Sequence, residues 1–364
     1  MKIVQVCPRY YPYAGGVEKF VKTLTEELIR VGFEVTVFAT EPRLKKPHVK
    51  KLIDGVELHL FNSYAFAEIG YLSPMLLRAL KEVKEGIIHA HGYRSFPMLE
   101  AALAKGMDVK LVVTTHLGFS KVGELAYKIY NPLFGNLIFS KANKIIVVSP
   151  AEVEKIPLLR KFRHKISYIP IGIQIPSTEF NEARYFEDKL SMLYVGRIEK
   201  RKGMDSLLRL MSILDEDKFS LTIVGSGPYA KQLVDTLDRL KLSNVRFMGK
   251  VSERSLQELY QKSTIFLLLS EYEGHSVALT EAIAHGLVPV VTDVGGNRYV
   301  LGDAGFLVEH PCDVGKVSSI LYDLYRNREK LVTRSIKARV RAQKLFNINK
   351  IVSRYISIYK ELQN

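Results

Sequence analysis

The sequence predicts an α/β protein built from two tandem, doubly wound domains, each formed around a parallel sheet. Three observations carry that expectation. Short β-branched runs alternate with longer segments whose apolar residues recur at helical spacing. The runs are apolar almost throughout, as strands covered by helices on both faces must be. Finally, 364 residues suit two domains at roughly 100–200 residues each, and a polar, proline-bearing stretch within residues 172–190 interrupts the pattern midway.

In chain order, the strand-like runs of the first half are KIVQVCP, EVTVFAT, VELHLF, GIIHAHG, KLVVTTH, KIIVVS and ISYIPIG. The segment VEKFVKTLTEELIRVG shows helical spacing, with Gly32 as its stop. PSTEFNEARYFEDK is weakly periodic and reads as the interdomain connection. The runs of the second half are SMLYVGR, SLTIVGSG, NVRFMGK, IFLLLS, VPVVTD and AGFLVE. The last stretch, FNINKIVSRYISIYKELQN, reads as an amphipathic helix. The expected domains are residues 1–175 and 176–346, with 347–364 as the terminal helix.

Composition narrows the class. Apolar residues make up 47 % and charged residues 25 %, an ordinary globular balance. No stretch reaches the ~18 apolar residues that span a bilayer. The start, MKIVQVCPRYYPY, is too short an apolar run for a signal peptide and reads as a buried strand. Cys7 and Cys312, without a C-x-x-C spacing, fit a reducing cytoplasm and argue against structural zinc or disulfides. Net charge is +15, with most of the excess in residues 1–172. Such a surface favours anionic partners: nucleic acid, acidic lipid or phosphorylated ligands. A Lys-rich, well-solvated surface explains it equally.

Ligands of doubly wound sheets bind beyond the carboxyl ends of the strands, and the polar motifs cluster there. SEYEGHSVALTEAIAHG holds two glutamates, Glu273 in a turn and Glu281 in an apolar helical segment. Ser276 falls at that helix's N-terminus, where free N–H groups favour phosphate. Carboxylates accept from hydroxyls, so Glu281 suits a ribose diol and Glu273 a sugar. The plain alternative is that Glu273 is a surface loop residue and Glu281 is salt-bridged. In YVGRIEKRKG, Arg197 and Lys202 end a strand and can reach a diphosphate, whereas Lys200 and Arg201 face solvent. Gly15 and Gly16 stand between the first strand and helix, where the backbone can approach a ligand. His116 closes KLVVTT and can bond a sugar hydroxyl or exchange a proton. His89 and His91 share one strand face without a third zinc ligand. GSGPYA matches a dinucleotide fingerprint, but the next strand ends in Lys250 rather than an acid for the ribose.

Together these residues resemble the retaining nucleotide-sugar glycosyltransferases of family 4, with the GT-B fold. The resemblance covers nearly the whole chain. Its motifs run in the family's order: the Gly15–Gly16 loop, HAHG, TTH, VVS, VGR with Lys202, VGSGP and the E-x7-E pair. It implies two Rossmann-like domains facing a central cleft, with the terminal helix crossing back to the first. Arg197 and Lys202 then hold the donor diphosphate, Glu281 the ribose, and Glu273 and His116 the donor sugar as catalytic groups. Ser276 and Val277 meet phosphate through their backbone and Val251 meets the base, whereas His275 and Ser276 depart from the aromatic and glycine or proline usual after Glu273-Gly274, a departure that bears on donor-sugar choice. The Gly15–Gly16 loop approaches phosphate and acceptor.

The same resemblance implies a UDP- or GDP-sugar donor, a hydroxyl acceptor and no metal or other cofactor. Nucleic acid is then not a partner. The chain departs from the family at Pro170-Ile171-Gly172-Ile173-Gln174, where an asparagine is usual in place of Ile171, and at Asn297-Arg298-Tyr299, where a glutamate is usual. Residues 120–144 mix lysines with aromatics and pose two readings: a helix resting on an anionic membrane near a lipid-linked acceptor, or an ordinary helix with core aromatics. The expected location is the cytoplasm, with the inner membrane face as a peripheral site. The alternatives are a GT-B sugar-nucleotide epimerase, a non-catalytic nucleotide-sugar or membrane-binding module, and, more remotely, a nicotinamide enzyme.

Overall fold

The computed structural model describes residues 1–13, 15–66, 70–116, 130–177 and 180–363. The chain forms two compact units, Met1–Ile173 with Ile348–Asn364, and Gln174–Asn347.

The first unit carries β1 (Lys2–Cys7), β2 (Glu34–Glu41), β3 (His48–Ile53), β4 (Val56–Asn62), β5 (Tyr64–Phe66), β6 (Gly70–Leu72), β7 (Gly86–His91), β8 (Val109–Thr114), β9 (Lys144–Val147) and β10 (Ile166–Tyr168). Its main sheet runs β10-β9-β8-β7-β1-β2-β4-β3. The strand order therefore reverses between β1 and β7, which pair in parallel through Ile3–Ile87 to Val6–Ala90. Val6, Val37, Ile88 and Val112 are fully buried, as the apolar runs require. One expectation needs correction: the sheet is not wholly parallel. The edge strand β3 is antiparallel to β4. Its sequence, HVKKLI, is mostly solvent-facing, so it lacks the apolar run that marks a buried strand. Lysines on such an edge also discourage pairing with another chain.

The helix Ile348–Glu361 belongs to this first unit. It buries Ile351, Tyr355 and Tyr359, and the Tyr359 hydroxyl lies 2.7 Å from His89 Nδ1. Gly172 sits beneath it. A Cβ there would come within 2.9 Å of Ile348 Cδ1 and 3.0 Å of Ile351, so the helix and the end of the first unit need glycine to pack. Neighbouring Ile171 is buried, which accounts for an apolar side chain at that position.

The second unit carries β11 (Leu190–Val195), β12 (Phe219–Val224), β13 (Val245–Phe247), β14 (Ile265–Leu268), β15 (Val288–Thr292) and β16 (Phe306–Val308). Its order is β13-β12-β11-β14-β15-β16, and every neighbouring pair is parallel. This sheet reverses between β11 and β14, the kind of crevice where doubly wound folds bind ligands. The stretch PSTEFNEARYFEDK is not a plain linker. Arg184 and Tyr185 are buried. Arg184 donates to the carbonyls of Tyr260 (3.1 Å), Gln261 (2.6 Å) and His285 (2.5 Å). Tyr185 donates to Gly286 O at 2.7 Å. The polar composition reflects hydrogen bonding to helix ends, a use that periodicity does not reveal.

Candidate functional site

The loops after β11 and β14 meet at the reversal of the second sheet. After β11 the chain passes through Arg197 and a short 3-10 turn, Lys200–Lys202. After β14 it runs through Ser270 and Glu273 into the helix Val277–Ala284. Backbone bonds tie the loops together, with Glu271 N donating to Arg201 O at 2.9 Å.

Glu273 is the centre of the site. It is only 6 % exposed, so it is not a surface loop residue. Lys202 Nζ donates to its Oε1 at 2.7 Å and Oε2 at 2.9 Å. The Ser270 hydroxyl adds a third bond, 2.7 Å to Oε1. A buried carboxylate requires such partners. The backbone behind it is equally held. Gly296 N donates to Gly274 O at 2.8 Å, and Gly295 has φ +55°, with a Cβ there overlapping the Glu273 carbonyl. Only glycine meets both conditions. Thr292 Oγ1 donates to Ser270 O at 2.5 Å, and Asn297 Nδ2 to Thr292 O at 3.0 Å.

Ser276 is the N-cap expected of it: its hydroxyl accepts from Leu279 N at 3.2 Å. Val277 opens the helix. His275 Nε2 lies 3.0 Å from Thr280 Oγ1, and that hydroxyl donates to Ser276 O at 3.0 Å. Thr280 therefore accepts from His275, which fixes the Nε2–H tautomer. Burial pushes the ring's pKa down to about 3, so His275 stays neutral. Glu281 is also buried, at 8 % exposure, and accepts from the Tyr260 hydroxyl at 3.1 Å. Burial, reinforced by the Glu281 carboxylate, keeps that tyrosine protonated. Tyr260 in turn stacks on His285 at 4.9 Å.

Arg197 is 63 % exposed and bonds Glu199 at 2.7 Å. Arg201 shares that carboxylate at 2.6 Å, rather than facing solvent alone. Arg298 bonds Asp293 and is largely exposed. Val251 follows β13, immediately before the Ser252 N-cap of the helix Glu253–Lys262. The glycines of GSGPYA have a packing explanation: a Cβ at Gly225 would overlap Gly196 O, and Ile198 N donates to Ser226 O at 3.0 Å. They let this loop lie against the loop that carries Arg197.

In the first unit, Gly15 caps the helix Gly16–Arg30, with the Glu18 carboxylate folded over it. His116 follows β8 and is buried, with φ +41°. That is a sparsely populated conformation for a residue with a side chain, of the kind found at functional sites. His116 Nε2 lies 3.0 Å from His91 Nδ1, and His91 Nε2 lies 2.6 Å from Gln5 Oε1. Since the Gln5 oxygen accepts, His91 presents Nδ1 as an acceptor to His116 Nε2–H. Burial holds His91 neutral. The same is true of His89, whose Nε2 lies 2.7 Å from Thr114 Oγ1. The two histidines that looked like partial metal ligands are thus core residues with hydrogen-bond partners. Among the described residues no three His, Cys, Asp or Glu gather as metal ligands. Within residues 120–144, positions 120–129 lie outside the described residues. Tyr130 and Phe139 are buried against Tyr93, at 6.0 and 4.9 Å, so these two aromatics are core. Among the described residues no helix is long and apolar enough to cross a membrane.

Sequence reasoning missed Ser270, Tyr260, Glu199 and Gly295. Tyr260 and Gly295 are defined by a partner distant in sequence or by a backbone angle, whereas Ser270 and Glu199 bond near neighbours through loop conformations that periodicity does not reveal.

The chain is similar to known proteins across its length. The family described as Glycosyltransferase Family 4 matches residues 14–175, and Glycosyl transferases group 1 matches residues 177–341. The O-antigen chain mannosyltransferase C of Escherichia coli is 25 % identical over 100 % of this chain and 99 % of its own. The phosphatidylinositol N-acetylglucosaminyltransferase gpi3 subunit of Schizosaccharomyces pombe is 26 % identical over 80 % of this chain and 66 % of its own. Among solved structures, sucrose-phosphate synthase from Thermosynechococcus elongatus superposes with a TM-score of 0.78 at 19 % identity, covering 100 % of this chain and 99 % of the other. Anabaena HepE in complex with UDP gives 0.78 at 17 % identity, over 99 % and 100 %.

Proposed function

The chain belongs to the GT-B glycosyltransferases, and on that premise we propose that it moves a sugar, with retention of configuration, from a UDP- or GDP-sugar to an acceptor hydroxyl. The observation that carries this reading is the grouping at one strand-order reversal of Lys202 on Glu273 and of the Ser276-capped helix that bears Glu281. A cation and a helix N-terminus suit a diphosphate, and flanking carboxylates suit hydroxyls.

In this reading the diphosphate draws Lys202 from Glu273 and Arg197 from Glu199. The departing charge is met by these cations, and no metal is required. Glu273, kept in place by Ser270, accepts from a sugar hydroxyl and stabilises positive charge developing at the reacting carbon. The acceptor attacks on the face from which the diphosphate leaves, so the enzyme supplies no nucleophile. Val251 meets the base, Glu281 the ribose, and Val277 and His275 line the phosphate and sugar positions. From the first unit, the Gly15–Gly16 loop approaches phosphate and acceptor, and His116 stands beside the donor sugar. The acceptor is a glycan, a lipid-linked sugar or a small molecule. A cytoplasmic protein resting on anionic lipid fits the basic excess of the first half.

The test is a thermal-shift panel of nucleoside diphosphates and their sugars, since a ligand of the native state raises the melting point. UDP heads the panel because HepE, similar in fold, was solved with it. A shift with one nucleotide, abolished in Glu281→Ala, is expected. No shift with any nucleotide overturns the donor site. Donor incubated alone then separates transferase from epimerase, because only the latter returns an epimerised sugar nucleotide. Flotation on vesicles with and without anionic lipid judges the membrane reading, and no flotation at low salt ends it.

A further inference from the structure

Arg9 follows β1, beyond the carboxyl edge of the first sheet, and no part of the donor machinery uses it. Its guanidinium carbon makes two cation–ring contacts, 5.2 Å from the centroid of Tyr13 and 5.2 Å from that of Tyr71. One N–H donates to the Tyr71 hydroxyl at 2.9 Å. Among the described residues it has no carboxylate partner. Glu41, at the end of β2, accepts instead from the Tyr13 hydroxyl at 2.6 Å and from Arg43 N at 3.1 Å. The result is a half-buried cation held by two ring contacts and one hydrogen bond, with donors left over. Such contacts restrain the guanidinium before a ligand arrives, and its fork matches phosphate in two-point geometry.

We propose that Arg9 is the anion-recognition group of an acceptor site on the first unit, and that the acceptor carries a phosphate group near its reacting hydroxyl. This rests on the transferase reading and adds the chemical class of the acceptor. Tyr13 and Tyr71 hold the guanidinium, and its remaining N–H donors meet the phosphate oxygens. The phosphate belongs either to a soluble phosphorylated molecule or to a lipid headgroup, and both present the same oxygens to Arg9.

The experiment uses the full chain saturated with UDP, so that phosphate groups at the donor site are already occupied. One arm titrates glycerol 3-phosphate by calorimetry. The other measures flotation on phosphatidylcholine vesicles with and without phosphatidylinositol. Binding in at least one arm is expected, weakened about tenfold or more in Arg9→Gln, the loss typical of a charged hydrogen bond. Arg9→Lys, which keeps the charge but not the fork, should fall between. Lys161→Gln, at an exposed site, removes equal charge and should leave binding near wild type. Binding in the calorimetric arm alone assigns a soluble acceptor, and binding in the vesicle arm alone a lipid. The proposal is overturned by no binding in either arm, by Arg9→Gln binding like wild type, or by equal losses in Arg9→Gln and Lys161→Gln. If the wild type fails to bind UDP, the donor reading fails separately, and the same two arms without nucleotide still decide the role of Arg9.

Discussion

Lys202 donates to both carboxylate oxygens of Glu273, at 2.7 and 2.9 Å, across 71 residues of chain. The cost of burying the Glu273 carboxylate is offset by that contact. In the proposed mechanism the two groups serve different ends of the donor, so donor binding exchanges this contact for others.

A consequence concerns stability. Lys202→Ala leaves the buried Glu273 carboxylate with the Ser270 hydroxyl as its remaining hydrogen-bond partner among the described residues, and is expected to cost about 1–3 kcal/mol. Adding Glu273→Gln removes the stranded charge and should recover part of that loss. Urea unfolding of both single variants and the double variant measures the coupling. Strictly additive effects would mean the pair carries no interaction energy.

Turnover should respond more sharply. Glu273→Gln and Arg197→Ala are each expected to lower kcat at least ~10²-fold, as loss of one preorganised electrostatic contact does. Steady-state rates with the donor found by thermal shift decide, and near-normal turnover in both variants removes these assignments.

In the proposed mechanism Ser270 bears on the donor sugar through its bond to Glu273. Ser270→Ala should lower kcat by about tenfold while donor KM changes little, since it loosens a positioned group without touching the nucleotide. A rise in KM with kcat intact would place Ser270 in binding instead.

Glu281→Ala should raise the donor KM by roughly tenfold or more through loss of charged hydrogen bonds to the ribose. Tyr260→Phe, which removes only the 3.1 Å bond to that carboxylate, should have a smaller effect in the same direction. Equal donor KM in Glu281→Ala and wild type would take the ribose away from this residue.

His275 links stability to pH. Its native pKa, about 3, lies below the ordinary 6.5. The unfolded chain therefore takes up a proton first as pH falls. The stability gained by burying the neutral ring is complete above pH 6.5 and declines toward pH 3. His275→Gln should flatten the fall in unfolding free energy across that window relative to wild type. Parallel curves for the two proteins would show that the ring titrates normally.

The alternation of apolar runs and helical segments was enough to determine an α/β chain with two sheets. It placed β1, β2, β4 and β7–β16 because buried strands and amphipathic helices differ in local period. Ser276 was legible as a cap for the same reason: a cap is defined by its own few residues. The edge strand β3 was not, because a solvated, lysine-bearing strand lacks the apolar signal. Other features came only with tertiary structure: the partner of Lys202, the glycine required at Gly295, the His91–His116 contact and the bond from Arg9 to Tyr71. Each is a meeting of groups far apart in sequence, or a backbone angle imposed by such a meeting. Local composition records which chemistry a residue can offer, while long-range packing decides which partner receives it.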